Sequence, residues 1–141
     1  MASKKIGYAT LLTIILLSLS LPALADDADN YRLEIKYPEK LKIGEKDSLH
    51  FKIIPTNGYK MNEGAPLKIT FANPNDGLKL EKDKLIKSDA KNPDKEPEFD
   101  NQVSAVKKGE YEIEANLSFV ICTEKDCLPK RVTKVLNIKV E

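Results

Sequence analysis

The chain has 141 residues, with 23 basic and 22 acidic side chains, one histidine, two cysteines and no tryptophan. That length fits one domain, and a net charge of +1 lacks the basic excess that a nucleic-acid binder needs. One histidine and two cysteines fall short of a four-ligand zinc site and of a multi-disulfide mini-scaffold, so neither a metal nor another cofactor is expected.

Residues 1–25 read as a signal peptide. Lys4 and Lys5 give a short positive region, an apolar run follows from Ile6 to Leu21, and Pro22 breaks it. Ala23-Leu24-Ala25 then supplies the small-x-small pattern of a cleavage site, so the mature chain is expected to begin at Asp26. The run is slightly short for a membrane span of about 20 residues. No cysteine follows it for lipid attachment. The three regions have a bacterial pattern, which places the expected 26–141 domain in the periplasm. Disulfides form and persist there. Loss of Lys4 and Lys5 turns the net charge from +1 to −1.

The mature segment alternates with the period of two that marks half-buried strands. Tyr31, Leu33, Ile35 and Tyr37 share one face, and Leu41 and Ile43 repeat the pattern briefly. Leu49, Phe51 and Ile53 follow, closed by the turn signal Pro55-Thr56-Asn57-Gly58. Leu67, Ile69 and Phe71 make the next strand, Leu78 and Leu80 a short one, and Val103 and Ala105 another before Lys107-Lys108-Gly109. The longest alternation sets Tyr111, Ile113, Ala115, Leu117, Phe119 and Ile121 on one face, and the last groups Val132, Leu136, Ile138 and Val140. No helix of three turns is evident. About eight short strands with frequent turns predict an all-β, immunoglobulin-like antiparallel β-sandwich, with a small barrel as the alternative.

Glu81–Gln102 breaks this rhythm, with 12 charged residues in 22 and prolines at 93 and 97. Residues 87–98 carry no apolar pattern and are expected to form a charged loop, either solvated and mobile or a functional lid. Phe99 then stands as one aromatic at the end of a polar loop, with something to cover.

Cys122 and Cys127 are separated by Thr123-Glu124-Lys125-Asp126. The core-facing residues before Cys122 are odd-numbered, and those after Cys127 are even-numbered. Both cysteines therefore point outward from a hairpin with a four-residue loop. Cross-strand partners there lie with Cα atoms about 5.5 Å apart, within disulfide reach. A six-residue closed loop contributes only about 2 kcal/mol in the chain-entropy model, so such a bond is a weak staple. An exposed disulfide is also open to attack by a partner thiolate. Spacing alone leaves the structural and redox readings open.

Glu124 and Asp126 flank the pair, with Lys125, Lys130 and Arg131 as the nearby cations. No helix N-terminus and no neighbouring histidine is there to depress a thiol pKa. The pattern suits a disulfide that accepts electrons and passes them on. His50 lies on the polar face of its strand without other ligands, so neither a metal site nor Cys–His catalysis is expected.

Phe119-Val120-Ile121-Cys122-Thr123-Glu124-Lys125-Asp126-Cys127-Leu128-Pro129 resembles the signature of the N-terminal domain of the DsbD family of thiol:disulfide interchange reductases. Gly58-Tyr59-Lys60-Met61-Asn62-Glu63, followed by Pro66-Leu67-Lys68-Ile69, is similar to that family's earlier Gly-Tyr segment. The likeness spans roughly residues 31 to 140. It implies an immunoglobulin-like fold with a redox-active Cys122–Cys127 pair, acting as a thiol:disulfide oxidoreductase module. The implied partners are a membrane-embedded thiol reductase as electron donor and thioredoxin-like periplasmic proteins as acceptors. The resemblance also implies that Glu98-Phe99-Asp100 is a cap loop shielding the cysteines, and that Cys127 forms the mixed disulfide downstream. Lys130 stands where the family has a second proline, and Lys60 and Asn62 stand where some relatives place aromatics. A stand-alone, monomeric domain that docks separate partners is expected, without the family's membrane and thioredoxin-like domains. The competing expectation is a non-enzymatic, protein-binding sandwich whose disulfide only clips a hairpin.

Overall fold

A computed structural model describes residues 24–28, 30–72 and 76–141, with side chains described from Asn30 onward. The expected apolar run of the signal peptide lies outside the described residues.

Eleven strands occur among the described residues, in two hydrogen-bonded sheets. The first sheet holds β1 (Leu24–Ala28), β2 (Tyr31–Lys36), β4 (Lys46–Pro55), β9 (Glu98–Ala105) and β7 (Leu78–Leu80), in that spatial order. The second holds β3 (Lys40–Leu41), β11 (Cys127–Val140), β10 (Gly109–Cys122), β6 (Lys68–Ala72) and β8 (Lys84–Ile86), with β5 (Lys60–Met61) also paired to β10. Every pairing is antiparallel except that of β3 with β11. The set β2-β4-β9-β7 facing β6-β10-β11 follows the partition of an immunoglobulin-like sandwich. Separate edges at β7 and β8 set the barrel alternative aside.

The alternation seen in the sequence becomes the core. Leu33, Ile35, Leu49, Phe51 and Ile53 from the first sheet meet Ile69, Ile113, Leu117, Phe119 and Ile121 from the second, all buried. Two aromatic pairs cross between the sheets. Tyr31 meets Phe119 edge-on at 5.3 Å, and Phe51 lies 5.8 Å from Phe71. Burial of this apolar area is the main force holding the layers together, at about 25 cal/mol per Å2.

Two expectations change. Ile43 does not continue the strand of Leu41. The chain turns there, with Gly44 at φ 89° and Glu45 N–H donating to the Lys42 carbonyl at 2.9 Å. Ile43 is left 57% exposed. The charged segment after β8 is also less loop-like than its composition suggests. It opens with a 3-10 turn at Lys87–Asp89 and closes on a bridge between Lys91 and Glu98. The Asp89 carboxylate accepts from Lys82 Nζ at 2.5 Å and from Ile86 N–H at 2.9 Å, tying the turn down. β9 begins at Glu98, well before Val103. It is fixed from within by Asn101, the one buried polar residue among those described. Asn101 accepts from Lys82 N–H at 3.1 Å and donates to the Lys82 carbonyl at 2.8 Å.

Candidate functional site

The longest ladder in the molecule positions the cysteines. β10 and β11 pair over fourteen rungs, from Gly109 opposite Val140 to Cys122 opposite Cys127. Residues Ile113, Ala115, Leu117, Phe119 and Ile121 point inward, so Cys122 faces out by parity. Leu136, Ile138 and Val140 are buried on the return strand, and Cys127 faces out by the same rule.

The two cysteines are joined in a disulfide with Cα atoms 4.0 Å apart. This is closer than the sequence suggested, because the pair occupies a narrow, non-hydrogen-bonded rung. The next residues inward to the loop carry the hydrogen bond, Thr123 N–H to the Asp126 carbonyl at 2.7 Å. Thr123 also organises the loop through its hydroxyl oxygen, which accepts from Lys125 N–H at 3.3 Å and Asp126 N–H at 3.1 Å. The sulfurs therefore sit on a fixed platform. Cys122 is half-buried and Cys127 is exposed.

One flank of the platform comes from the Gly-Tyr segment. Asn57 at φ 54° and Gly58 at φ 81° form a tight turn closed by Tyr59 N–H on the Thr56 carbonyl at 3.1 Å. Positive φ at both positions is what Asn-Gly supplies most readily. The turn folds β5 against the end of β10, with Lys60 opposite Cys122 and Met61 opposite Ile121. Met61 is buried and anchors the strand. Gly58, Lys60, Cys122, Thr123, Glu124 and Lys125 together line an open hollow beside the disulfide.

Asn62 follows β5 and lies over the sulfurs. Its Nδ2 is 3.4 Å from Cys122 Sγ and 4.0 Å from Cys127 Sγ. In the sequence Asn62 stands out only as a polar residue where some relatives of the resembled family place an aromatic. No local signal says which side chain will reach the sulfurs, because that depends on β5 folding onto β10.

The expected cap residues stand elsewhere. Phe99 lies inside β9, fully buried opposite Phe51 in the β4–β9 ladder. It has no free face with which to cover the cysteines. Its neighbours Glu98 and Asp100 point to the outer face of the first sheet. Asp100 Oδ1 is 2.8 Å from His50 Nδ1, and Glu98 lies 3.7 Å from His50 Nε2 and 3.8 Å from Lys52 Nζ. The cap expectation is corrected for this reason: the apparent loop aromatic is a core residue of a strand that starts earlier than its alternation showed. No cluster of three His, Cys, Asp or Glu side chains able to hold a metal occurs among the described residues.

No family model matches the sequence, and no curated protein matches it. Among solved structures the chain is similar to AggA, the major subunit of aggregative adherence fimbriae type I from Escherichia coli. The identity is 13%, the match covers 86% of this chain and 100% of that one, and the TM-score is 0.40.

Proposed function

We propose that the chain is a periplasmic thiol–disulfide exchange module, taking electrons from a membrane-embedded thiol reductase and passing them to thioredoxin-like proteins through Cys122 and Cys127. The observation that carries this reading is the position of the bond. It is solvent-facing at the tip of a hairpin already closed by a fourteen-rung ladder. A cross-link there adds about 2 kcal/mol in the chain-entropy model, far less than a link between distant strands. Its accessibility favours exchange, whose rate depends on access to a sulfur.

The unequal exposure of the cysteines supports an order of events. A donor thiolate attacks the exposed Cys127 Sγ, the Sγ–Sγ bond breaks, and its electron pair stays on Cys122 Sγ. The donor's second thiol then attacks its own sulfur in the mixed disulfide and releases Cys127 as thiolate. The donor leaves oxidised by two electrons, and the module holds two reduced cysteines. In the forward step Cys127 attacks an acceptor disulfide, and Cys122 resolves the mixed species, restoring the original bond.

The test is a redox equilibration of the purified domain against thiol–disulfide buffers. A potential between about −120 and −270 mV, the span of exchange proteins, is expected. A potential well below about −300 mV, typical of inert structural disulfides, would leave the hairpin-clip reading in its place.

A further inference from the structure

We propose that Asn62 acts on the exchange reaction directly: its side-chain N–H stabilises the thiolate that forms on Cys122, making Cys122 the leaving group when Cys127 is attacked. The proposal deepens the exchange reading and rests on it for its use in the cell.

Three features fix the geometry. First, Asn62 is pinned through its backbone, whose N–H donates to the Val120 carbonyl at 3.0 Å, two residues before Cys122. Second, its carboxamide is oriented. Oδ1 accepts from Gly64 N–H at 2.9 Å, which turns Nδ2 toward the sulfurs. Third, that nitrogen lies 3.4 Å from Cys122 Sγ and 4.0 Å from Cys127 Sγ. An amide donor held in place before reaction gains most where negative charge develops. The charge in this step develops on the departing sulfur, and leaving groups of lower pKa depart faster. Among the described residues no histidine contacts the sulfurs, and the Asn62 amide is a neutral dipole placed to do this.

The plain alternative is that Asn62 only shapes its turn. Its carbonyl accepts from Ala65 N–H at 3.3 Å, and its Oδ1 bond to Gly64 closes an Asx turn. The two halves of the carboxamide separate these roles. Asn62→Asp keeps an oxygen for Gly64 N–H and replaces the donor with a negative oxygen. Asn62→Ala removes both.

The experiment measures two quantities. In a Cys127→Ser background, the Cys122 thiol is titrated by its thiolate absorbance with Asn, Asp or Ala at position 62. In the disulfide form, reduction by dithiothreitol is timed for the same three residues. Loss of one hydrogen bond to a charged group predicts a Cys122 pKa raised by about 1 in the Ala variant and by more in the Asp variant. Reduction is expected to slow roughly threefold in the Ala variant, because only part of the negative charge has reached the departing sulfur in the transition state. Urea midpoints show whether each variant stays folded, and the Asp variant carries the test if the Ala variant does not. An unmoved Cys122 titration and unchanged reduction rate in the Asp variant would overturn the role of Asn62. Because the titration is done on a single cysteine, it answers even if the wild-type pair proves inert in redox buffers, an outcome that would sink the exchange reading alone.

Discussion

Replacing both cysteines by serine separates a staple from a reactive bond most directly. In the chain-entropy model the cross-link removes freedom from the unfolded chain in proportion to the logarithm of the loop it closes. Here the cysteines are five positions apart, a six-residue loop. At 25 °C this gives about 2 kcal/mol. The figure is an upper one, because a hairpin turn that persists in the unfolded ensemble has already lost part of that freedom. The native state keeps the thirteen other rungs of β10 and β11, and the bond from Thr123 N–H to Asp126 holds the loop without sulfur. Neither cysteine is in the buried core, so serine opens no cavity. Urea unfolding of the Cys122→Ser/Cys127→Ser protein should therefore show a loss of about 2 kcal/mol or less, with an unchanged m-value. A melting temperature would fall by about 8 °C for a domain of this size. A loss of 4 kcal/mol or more, or failure to fold, would refute the reasoning and make the disulfide a principal element of the fold.

Phe99→Leu should lower stability by about 1 kcal/mol through lost core volume, yet leave the rate of disulfide reduction by dithiothreitol unchanged; faster reduction in the folded variant would restore a shielding role for this residue. The hydrogen bond from Lys82, helped by Ile86 N–H, holds the Asp89 carboxyl below the usual aspartate range. A lowered folded pKa contributes stability that is complete above the unfolded value and is lost as pH falls through the folded one. The wild-type protein should thus lose stability from about pH 4 downward in a way that Asp89→Asn does not, which pH-dependent urea titrations of the two proteins compare; parallel curves would show that the Lys82–Asp89 contact contributes nothing.

Strand parity was the most legible property of the sequence. An uninterrupted period of two from Tyr111 to Ile121 fixes the face of every residue up to Cys122, and the return strand fixes Cys127. The hairpin, its loop and the outward pair all follow from that count. The Asn57-Gly58 turn was readable for a similar reason, since few residue pairs accept positive φ in succession. Composition misled where a strand was charged on its outer face. In β9, Glu98, Asp100 and Gln102 alternate with Phe99, Asn101 and Val103, so one inward position is an asparagine. Asn101 hides the period because it is buried by bonding the Lys82 backbone, a partner nineteen residues away. Ile43 misled in the opposite sense, being an apolar residue in phase with Leu41 but carried past the strand end by the turn at Gly44.

A disulfide that turns over has to break without unfolding its host. Small domains are stable by about 5–15 kcal/mol, so a bond contributing about 2 kcal/mol can open and leave the chain folded. The ladder here makes that separation possible. Its core-facing rungs from Ile113 to Ile121 are locked by burial, and the sulfurs lie one rung beyond them, on the outer side. The flank is held independently, by Met61 in the core and by Asn62 N–H on the Val120 carbonyl. Breaking the Cys122–Cys127 bond therefore removes no support from β5, and Asn62 stays where the thiolate would form. On this reasoning the oxidised and reduced forms share one backbone, so amide exchange protection in β10 and β11 should be equal in both states from Ile113 to Ile121. Loss of protection along that stretch on reduction would mean that the bond holds the hairpin closed, which an exchange module could not tolerate.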